Sequence, residues 1–312
     1  MSDFNTYNGA VFFVDLLGIG SLTQNELTLN KEDYIAWNLA PMQHNCQYLA
    51  GKILFEFRNL LLELKKQYVG VKIAQLSDCA FIWCEDLIII LRFINSFMSR
   101  AIYDRGILCR GGVAFGEIIE PINCNIELGS FIVGEAVTKA VMMEGKAKGT
   151  RILMDISVPT NIWKYQKFAK EYSLFLSDML YPIQNPLDYS VVDEFRWYLI
   201  DEENFHTRNG VFTFEKIVEI TKKRLLLSNM LMYSPKFGWN TKSTKGLMQL
   251  NAGVASISED KLLGIKHFYQ QSFVLQENRS NTTCKRIEEK ILSDEQFFKY
   301  DKSTDLDNYI PE

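Results

Sequence analysis

The sequence predicts an α/β fold: a mixed, partly antiparallel sheet with helices on one face, followed by a carboxyl-terminal extension. Three observations predict it. Ala10 to Leu17, AVFFVDLL, is a nearly unbroken run of β-branched and aromatic residues, the pattern of a buried central strand. Val71 to Cys84, VKIAQLSDCAFIWC, reads as two short strands around a tight turn at Leu76, Ser77 and Asp78, because Ser and Asp side chains bond back to local backbone. Helical patterns separate these from further short strands. Single helices alternating with strands would give a doubly wound parallel sheet, but a hairpin in the middle demands antiparallel pairing. A ferredoxin-like or palm-like core ending near residue 158 fits this order.

In chain order, Gly18 and Gly20 break the first strand, and a helical pattern then runs from about Lys31 to Gln67, divided near Pro41 because proline lacks the amide that a helix interior uses. After the hairpin, Glu85 to Asp104 reads as a helix and Gly106 to Ile119 as a glycine-rich strand. Ser130 to Lys146 reads as a helix and Arg151 to Met154 as a short strand. Past Pro159 the chain turns aromatic and charged. YPIQNP, Tyr181 to Pro186, reads as a loop, and Val191, Val192 and Trp197 to Ile200 as strand material. Phe214 to Met232 has helical periodicity, Ser234 to Gly246 is loop-like, and the polar end from Asp301 is expected to fray. The resulting division is a core over 1–158 and an extension over 159–312 with a packing or dimerisation role.

Composition narrows the function. With 312 residues, 47% hydrophobic and 23% charged, the chain is neither disordered nor fibrous. A formal net charge of −4 gives no general basic surface for nucleic acid, so an anionic substrate must be handled locally. Six cysteines without a CxxC pair and only three histidines offer no zinc set, and they fit free thiols in a reducing cytoplasm. MSDFNTYNGA has no basic n-region, so no secretory signal is expected. Asp15 and Arg92 interrupt the apolar runs, so no membrane span is expected either.

Asp15 is conspicuous inside its apolar strand, where an unpaired carboxylate would cost several kcal/mol of desolvation. Asp78 sits at the tip of the hairpin, where adjacent strands can bring side chains to one edge of a sheet. The bland alternative is that Asp78 is a turn aspartate and Asp15 a helix-cap or core hydrogen-bond acceptor. That alternative suits Asp78 better than Asp15, because turns use Asp and buried strands do not. Brought together, two carboxylates repel unless one is protonated or a divalent ion lies between them, and Mg²⁺ or Mn²⁺ suits hard oxygen ligands shared with phosphate. Gly18, Ile19, Gly20 and Ser21 leave the strand as a glycine-punctuated turn whose amides can cradle phosphates, although it is neither a Walker motif nor a dinucleotide fingerprint.

VFFVDLLGIGSL, Val11 to Leu22, resembles the first metal-binding strand and phosphate turn of class III nucleotidyl cyclases, and QLSDCAFIW, Gln75 to Trp83, resembles their second metal-binding hairpin. RGGVAFG, Arg110 to Gly116, is similar to the family's arginine- and glycine-bearing strand. GEAVTKAVMME, Gly134 to Glu144, is similar to the helix after its base-reading strand, closed by Gly149 to Leu153. The likeness covers about half the chain. It implies two divalent ions, Mn²⁺ or Mg²⁺, held by Asp15, Asp78 and the Leu16 carbonyl, and a triphosphate cradled by Gly18 to Ser21. It also implies a homodimer whose active sites are shared between chains.

Departures from the family pattern carry information too. The positions that read adenine in purine cyclases hold Ala74 and Phe131, and the transition-state Asn and Arg fall on Thr138 and Met142. Lys139, near Met142 on the helix, and Arg110 are the substitute cations. Phe131 is placed to stack on a pyrimidine, and Tyr48, on the long helix, is a further base-contact candidate. Loss of the purine pair with both aspartates kept resembles the bacterial pyrimidine cyclases of the Pycsar antiphage systems. Those enzymes make cyclic UMP or cyclic CMP, which a separate effector protein reads. UTP and CTP are not distinguished. Two other readings compete: a cyclase-like domain that binds nucleotide without turning it over, and a polymerase-like palm or diguanylate cyclase. The last is disfavoured because Leu76-Ser77-Asp78 lacks the GG[DE]EF signature.

Overall fold

The structure, a computed structural model, describes residues 3–122, 129–168, 180–184, 191–199 and 214–258. Strand β1 (Phe4–Leu16) is followed by short helices α1 (Ile19–Thr23) and α2 (Lys31–Ile35). A 3₁₀ turn at Pro41–Gln43 separates these from the long helix α3 (Cys46–Gln67), so the division expected near Pro41 is present. The Asn45 side chain starts α3 by accepting a hydrogen bond from the Tyr48 amide at 3.0 Å.

Strands β2 (Lys72–Leu76) and β3 (Cys79–Cys84) form the expected hairpin, and α4 (Leu87–Arg100) follows. The Asp86 carboxylate caps α4 by accepting from the amides of Ile88 at 2.7 Å and Ile89 at 3.3 Å. Next come β4 (Cys109–Pro121), α5 (Glu135–Lys146), β5 (Ile152–Met154) and α6 (Ser157–Phe168). Beyond these lie β6 (Leu180–Gln184), β7 (Val191–Phe195), α7 (Phe214–Tyr233) and α8 (Thr244–Ser258).

The strands make one seven-stranded mixed sheet in the order β2-β3-β1-β4-β5-β7-β6. β1 lies inside it, antiparallel to β3 and to β4, while β4 and β5 are parallel. Ala10, Phe12, Val14 and Leu16 join the main core with Leu49, Ile53 and Phe57 of α3 and Ile90, Ile94 and Phe97 of α4. The Phe12 and Phe97 rings meet edge to face at 6.2 Å. Each of these buried Val, Leu, Ile and Phe side chains contributes about 1.5–3 kcal/mol.

Helices were expected on one face, but α5 covers the other. Val11 packs there with Ala114, Ala136 and Ala140, and Phe13 and Phe81 lie against this second cluster. The physical reason is in β1 itself, since apolar residues at both its odd and even positions oblige both faces to be covered.

Four further expectations change. Trp197–Leu199, read as strand material, forms a 3₁₀ turn after β7 ends at Phe195. Residues 130–134 are not helical: Val133 pairs with Ile119 as an isolated bridge, and α5 starts only at Glu135. Tyr181 to Gln184, read as loop, belongs to β6, where Pro182 is tolerated because β6 is the sheet's edge strand. Within Ser234 to Gly246, residues Pro235–Lys242 form a 3₁₀ helix and α8 begins at Thr244.

Helix α6 runs across the boundary placed near 158, and the chain beyond it extends the same sheet. Trp197, Leu231, Phe237 and Trp239 belong to the same buried cluster as Phe12. Trp197 Nε1 donates to the Thr150 carbonyl at 3.0 Å, and Asn95 Nδ2 donates to the Trp197 carbonyl at 2.6 Å. Among the described residues no helix is long and apolar enough to cross a membrane. The end from Asp301 lies outside the described residues.

Candidate active site

Asp15 occupies the end of β1, with Cys79 of β3 and Arg110 of β4 as its partners across the ladders. The hairpin closes between Leu76 and Cys79, leaving Ser77 and Asp78 as its loop. Ser77 adopts a left-handed φ of 56° there. The Leu16 amide donates to the Asp78 carbonyl at 2.9 Å, which ties this loop to the end of β1. Gly18, at a φ of 92°, then turns the chain into α1.

These pieces converge. A cavity of about 340 Å³ is lined by Asp15, Asp78 and Arg110 from the strands and the hairpin, and by Leu16, Gly18, Gly20 and Ser21 from the turn. The convergence follows from the ladders, because antiparallel pairing of β1 with β3 and β4 sets their ends side by side.

Burial pushes the Asp15 carboxyl up to about 6, with the negative charges of Glu144 and Asp78 acting in the same direction. The positive charges of Arg110 and Lys245 oppose the rise. Arg110 Nη2 stands 3.5 Å from Asp15 Oδ2, its Nε donates to Glu144, and its Nη1 donates to the Ala147 carbonyl at 3.4 Å. The guanidinium is therefore clamped between β1 and the end of α5. The neighbouring Cys79 thiol is pushed up to about 11, first by burial and then by Asp78 and Asp15, so it stays a neutral thiol at pH 7.

The remaining candidates stand elsewhere in the single chain. The Ile19 side chain is buried in the main core, so only the backbone at that position can face a ligand. Lys139 Nζ pairs with Glu135 at 2.6 Å and with Asp155 at 3.7 Å, outside the cavity. Phe131 is 54% exposed in the stretch before α5. Tyr48 is exposed on α3 and lines a separate shallow cleft with Gln43, Gln47 and Lys52. Ala74 is half-buried on β2 opposite Phe81. Met142 is exposed on α5, and the Thr138 hydroxyl donates back to the Gly134 carbonyl at 3.3 Å.

Sequence reading did not anticipate the far wall. Lys148, Trp239, Asn240, Ser243, Lys245 and Gln249 line the same cavity, and Glu144 holds its arginine. A signal existed in the polar run NTKSTKG, Asn240 to Gly246, where small, amide and lysine residues alternate. Nothing in periodicity connects that run to a strand more than two hundred positions earlier.

Among the described residues no group of three or more His, Cys, Asp or Glu is set to hold a metal ion. The residues present nevertheless fit a hard divalent ion that shares its shell with a substrate. Two carboxylates line one cavity, and Asp15, raised first by burial and then by the charges of Glu144 and Asp78, is a carboxyl whose ionised form a bound cation would favour. The free cysteines are not suited to such an ion.

No family model matches the chain, and no curated protein matches it. Among solved structures, similar chains include the guanylate cyclase domain of RhGC from Catenaria anguillulae in complex with GTP, at 14% identity and a TM-score of 0.39 over 61% of this chain and 96% of that one. The monomeric guanylyl cyclase domain of the RhoGC fusion protein from Blastocladiella emersonii gives 16% identity and a TM-score of 0.40 over 62% of this chain and 98% of that one. The adenylyl cyclase CyaB from P. aeruginosa gives 13% identity and a TM-score of 0.40 over 66% of this chain and all of that one. With TM-scores below 0.5, these likenesses assign no family and no activity, and any functional reading rests on the site's own residues.

Proposed function

We propose that this chain is a metal-dependent nucleotidyl cyclase that converts a pyrimidine nucleoside triphosphate, UTP or CTP, to its 3′,5′-cyclic monophosphate and diphosphate. The observation that carries the reading is the meeting of Asp15, Asp78 and the Gly18–Ser21 turn in one cavity. In the reaction the ribose 3′ hydroxyl gives up its proton, which ends on solvent or on the departing diphosphate. Its oxygen bonds to the α-phosphorus, the bond from that phosphorus to the bridging oxygen breaks, and diphosphate leaves. Divalent ions, Mn²⁺ or Mg²⁺, two per site, would supply acidity to the 3′ hydroxyl and charge neutralisation to the leaving group.

This chain's own residues have distinct parts in that scheme. Asp15 and Asp78, with the Leu16 carbonyl, hold the ions. Amides of Gly18, Ile19, Gly20 and Ser21 orient the phosphates without a net basic surface. Arg110 keeps Asp15 in place through its clamp to Glu144. Phe131, Tyr48 and Lys139 lie outside this cavity in one chain, so their proposed contacts, stacking on the base and steadying the transition state, come from a second copy of the chain. Exposed Phe131, Val133 and Met142 give that copy an apolar surface beside α5. The product would act as a second messenger in antiphage defence, read by a separate effector.

A reading without turnover also has a specific observation in its favour. Arg110 and Lys139 are both already engaged by acidic residues, so neither is a spare cation within one chain. Incubating the full chain and Mn²⁺ with each of the four labelled nucleoside triphosphates decides between the readings. Cyclic UMP or cyclic CMP is expected. Comparable rates with ATP would sink the pyrimidine assignment, and no cyclic product from any of the four would leave only binding.

A further inference from the structure

We propose that the segment from Trp239 to Gln249, together with Lys148, forms a polyphosphate subsite in the same chain as Asp15 and Asp78. The subsite would seat the chain of phosphates remote from the reacting ribose. It rests on the cyclase reading for the identity of its ligand and not for its existence.

The segment is fixed on the core by groups that are spent in doing so. Trp37 Nε1 donates to the Lys236 carbonyl at 3.0 Å, Lys236 Nζ donates to the Arg105 carbonyl at 3.2 Å, and Lys242 pairs with Asp33 at 3.7 Å. The Trp239 ring then lies against Gly18 so closely that a β-carbon there would fall 2.8 Å from it. Gln249 Oε1 accepts from the Gly149 amide at 2.7 Å, which draws the loop carrying Lys148 to the start of α8.

What remains faces the cavity and is unspent. Lys148 and Lys245 both line it, and neither has an ion pair among the described residues. The charge of Lys245 already reaches Asp15 across the cavity. Asn240 is 2% exposed, lines the same cavity, and its Oδ1 has no hydrogen-bond partner. The Asn240 oxygen calls for a donor on another part of the substrate, whereas Trp239 Nε1, buried in the same wall and without a partner among the described residues, is a donor that a phosphate oxygen answers.

Helix α8 adds directional donors. The Ser243 hydroxyl accepts from the Gly246 amide at 3.0 Å and the Ser243 carbonyl accepts from Leu247 at 2.9 Å. The amides of Thr244 and Lys245, at the positive end of the helix, have no acceptor within it. The cavity is thus acidic where Asp15 and Asp78 stand and basic opposite them. A metal–polyphosphate has the same polarity, with its cation to one side and its anionic oxygens to the other.

Tripolyphosphate with Mn²⁺, titrated calorimetrically into the full chain, is the direct probe because it carries no base and no ribose. Lys148→Ala and Lys245→Ala should each weaken it about tenfold, the double variant about a hundredfold, as expected for losing one charge-assisted contact each. Their thermal midpoints should match the parent, and their binding of Mn²⁺ alone should be no weaker, since the charge of Lys245 opposes a cation at Asp15. Unchanged tripolyphosphate affinity in the double variant, or no binding to the parent, overturns the subsite. Lysine-dependent binding in a chain that cyclises no triphosphate keeps the subsite and removes the cyclase reading. Cyclisation with KM and tripolyphosphate affinity unchanged in the double variant does the reverse.

Discussion

The Asp15 carboxyl titrates near 6 because it is buried beside Glu144 and Asp78, whereas an unfolded aspartate titrates near its ordinary value of 3.8. Between those pH values the metal-free folded chain holds a proton that the unfolded chain has released, so stability falls as pH rises through this window and stays reduced above it. Two units correspond to about 3 kcal/mol, and solvent at the open side of the cavity lowers that to about 1–2 kcal/mol. Asp15→Asn should therefore raise the melting temperature in EDTA at pH 7.5 and lose that gain by pH 4. Equal gains at both pH values would show that the charge is not responsible. Asp15 was legible in the sequence because a carboxylate in AVFFVDLL has no cheap explanation. Glu144 was not, because an acid near the end of a helix ordinarily faces solvent and only the structure turns it onto Arg110.

At the scale of elements, the site depends on how closely α5 lies on β4. A β-carbon at Gly112 would stand 2.0 Å from the Ala140 carbonyl oxygen and 2.4 Å from the Glu144 amide nitrogen, both backbone atoms that cannot swing away. Gly112→Ala must push α5 off the strand, loosening the grip of Glu144 on Arg110, and is expected to cost about 3 kcal/mol or more. Urea unfolding checks this, and a loss under about 0.5 kcal/mol would mean that the contact is not close. The β2–β3 hairpin was readable because Ser77 and Asp78 mark the turn between two apolar runs. The start of α5 was not, since pairing of Val133 with Ile119 is a tertiary choice that overrides helical pattern. Pro182 misled in the same way: it disfavours an interior strand, and an edge position is invisible without the sheet order.

For the whole molecule, residues on both sides of position 158 share one buried cluster, and the cavity takes one wall from each. Composition changed after Pro159, but a change of texture is not a change of core. Trp197, Phe237 and Trp239 complete the core that Phe12 begins. The proposed shared site makes a further prediction at this scale. An Asp15→Ala chain mixed with a Phe131→Ala, Lys139→Ala chain should recover part of the activity that each lacks alone, assayed once mixed dimers are seen by mass. Mixed dimers without recovery would place every working residue in one chain.

The central claim is that Asp15 and Asp78 together support cyclisation of a nucleoside triphosphate. Its most direct test is the product made by the full chain from UTP and CTP with Mn²⁺, set beside Asp15→Ala and Asp78→Ala. The parent should yield a 3′,5′-cyclic pyrimidine nucleotide and one diphosphate per turnover, and both variants, still folded, should yield neither. Turnover within a few-fold of the parent in either variant, or a parent that forms no cyclic product, would contradict it.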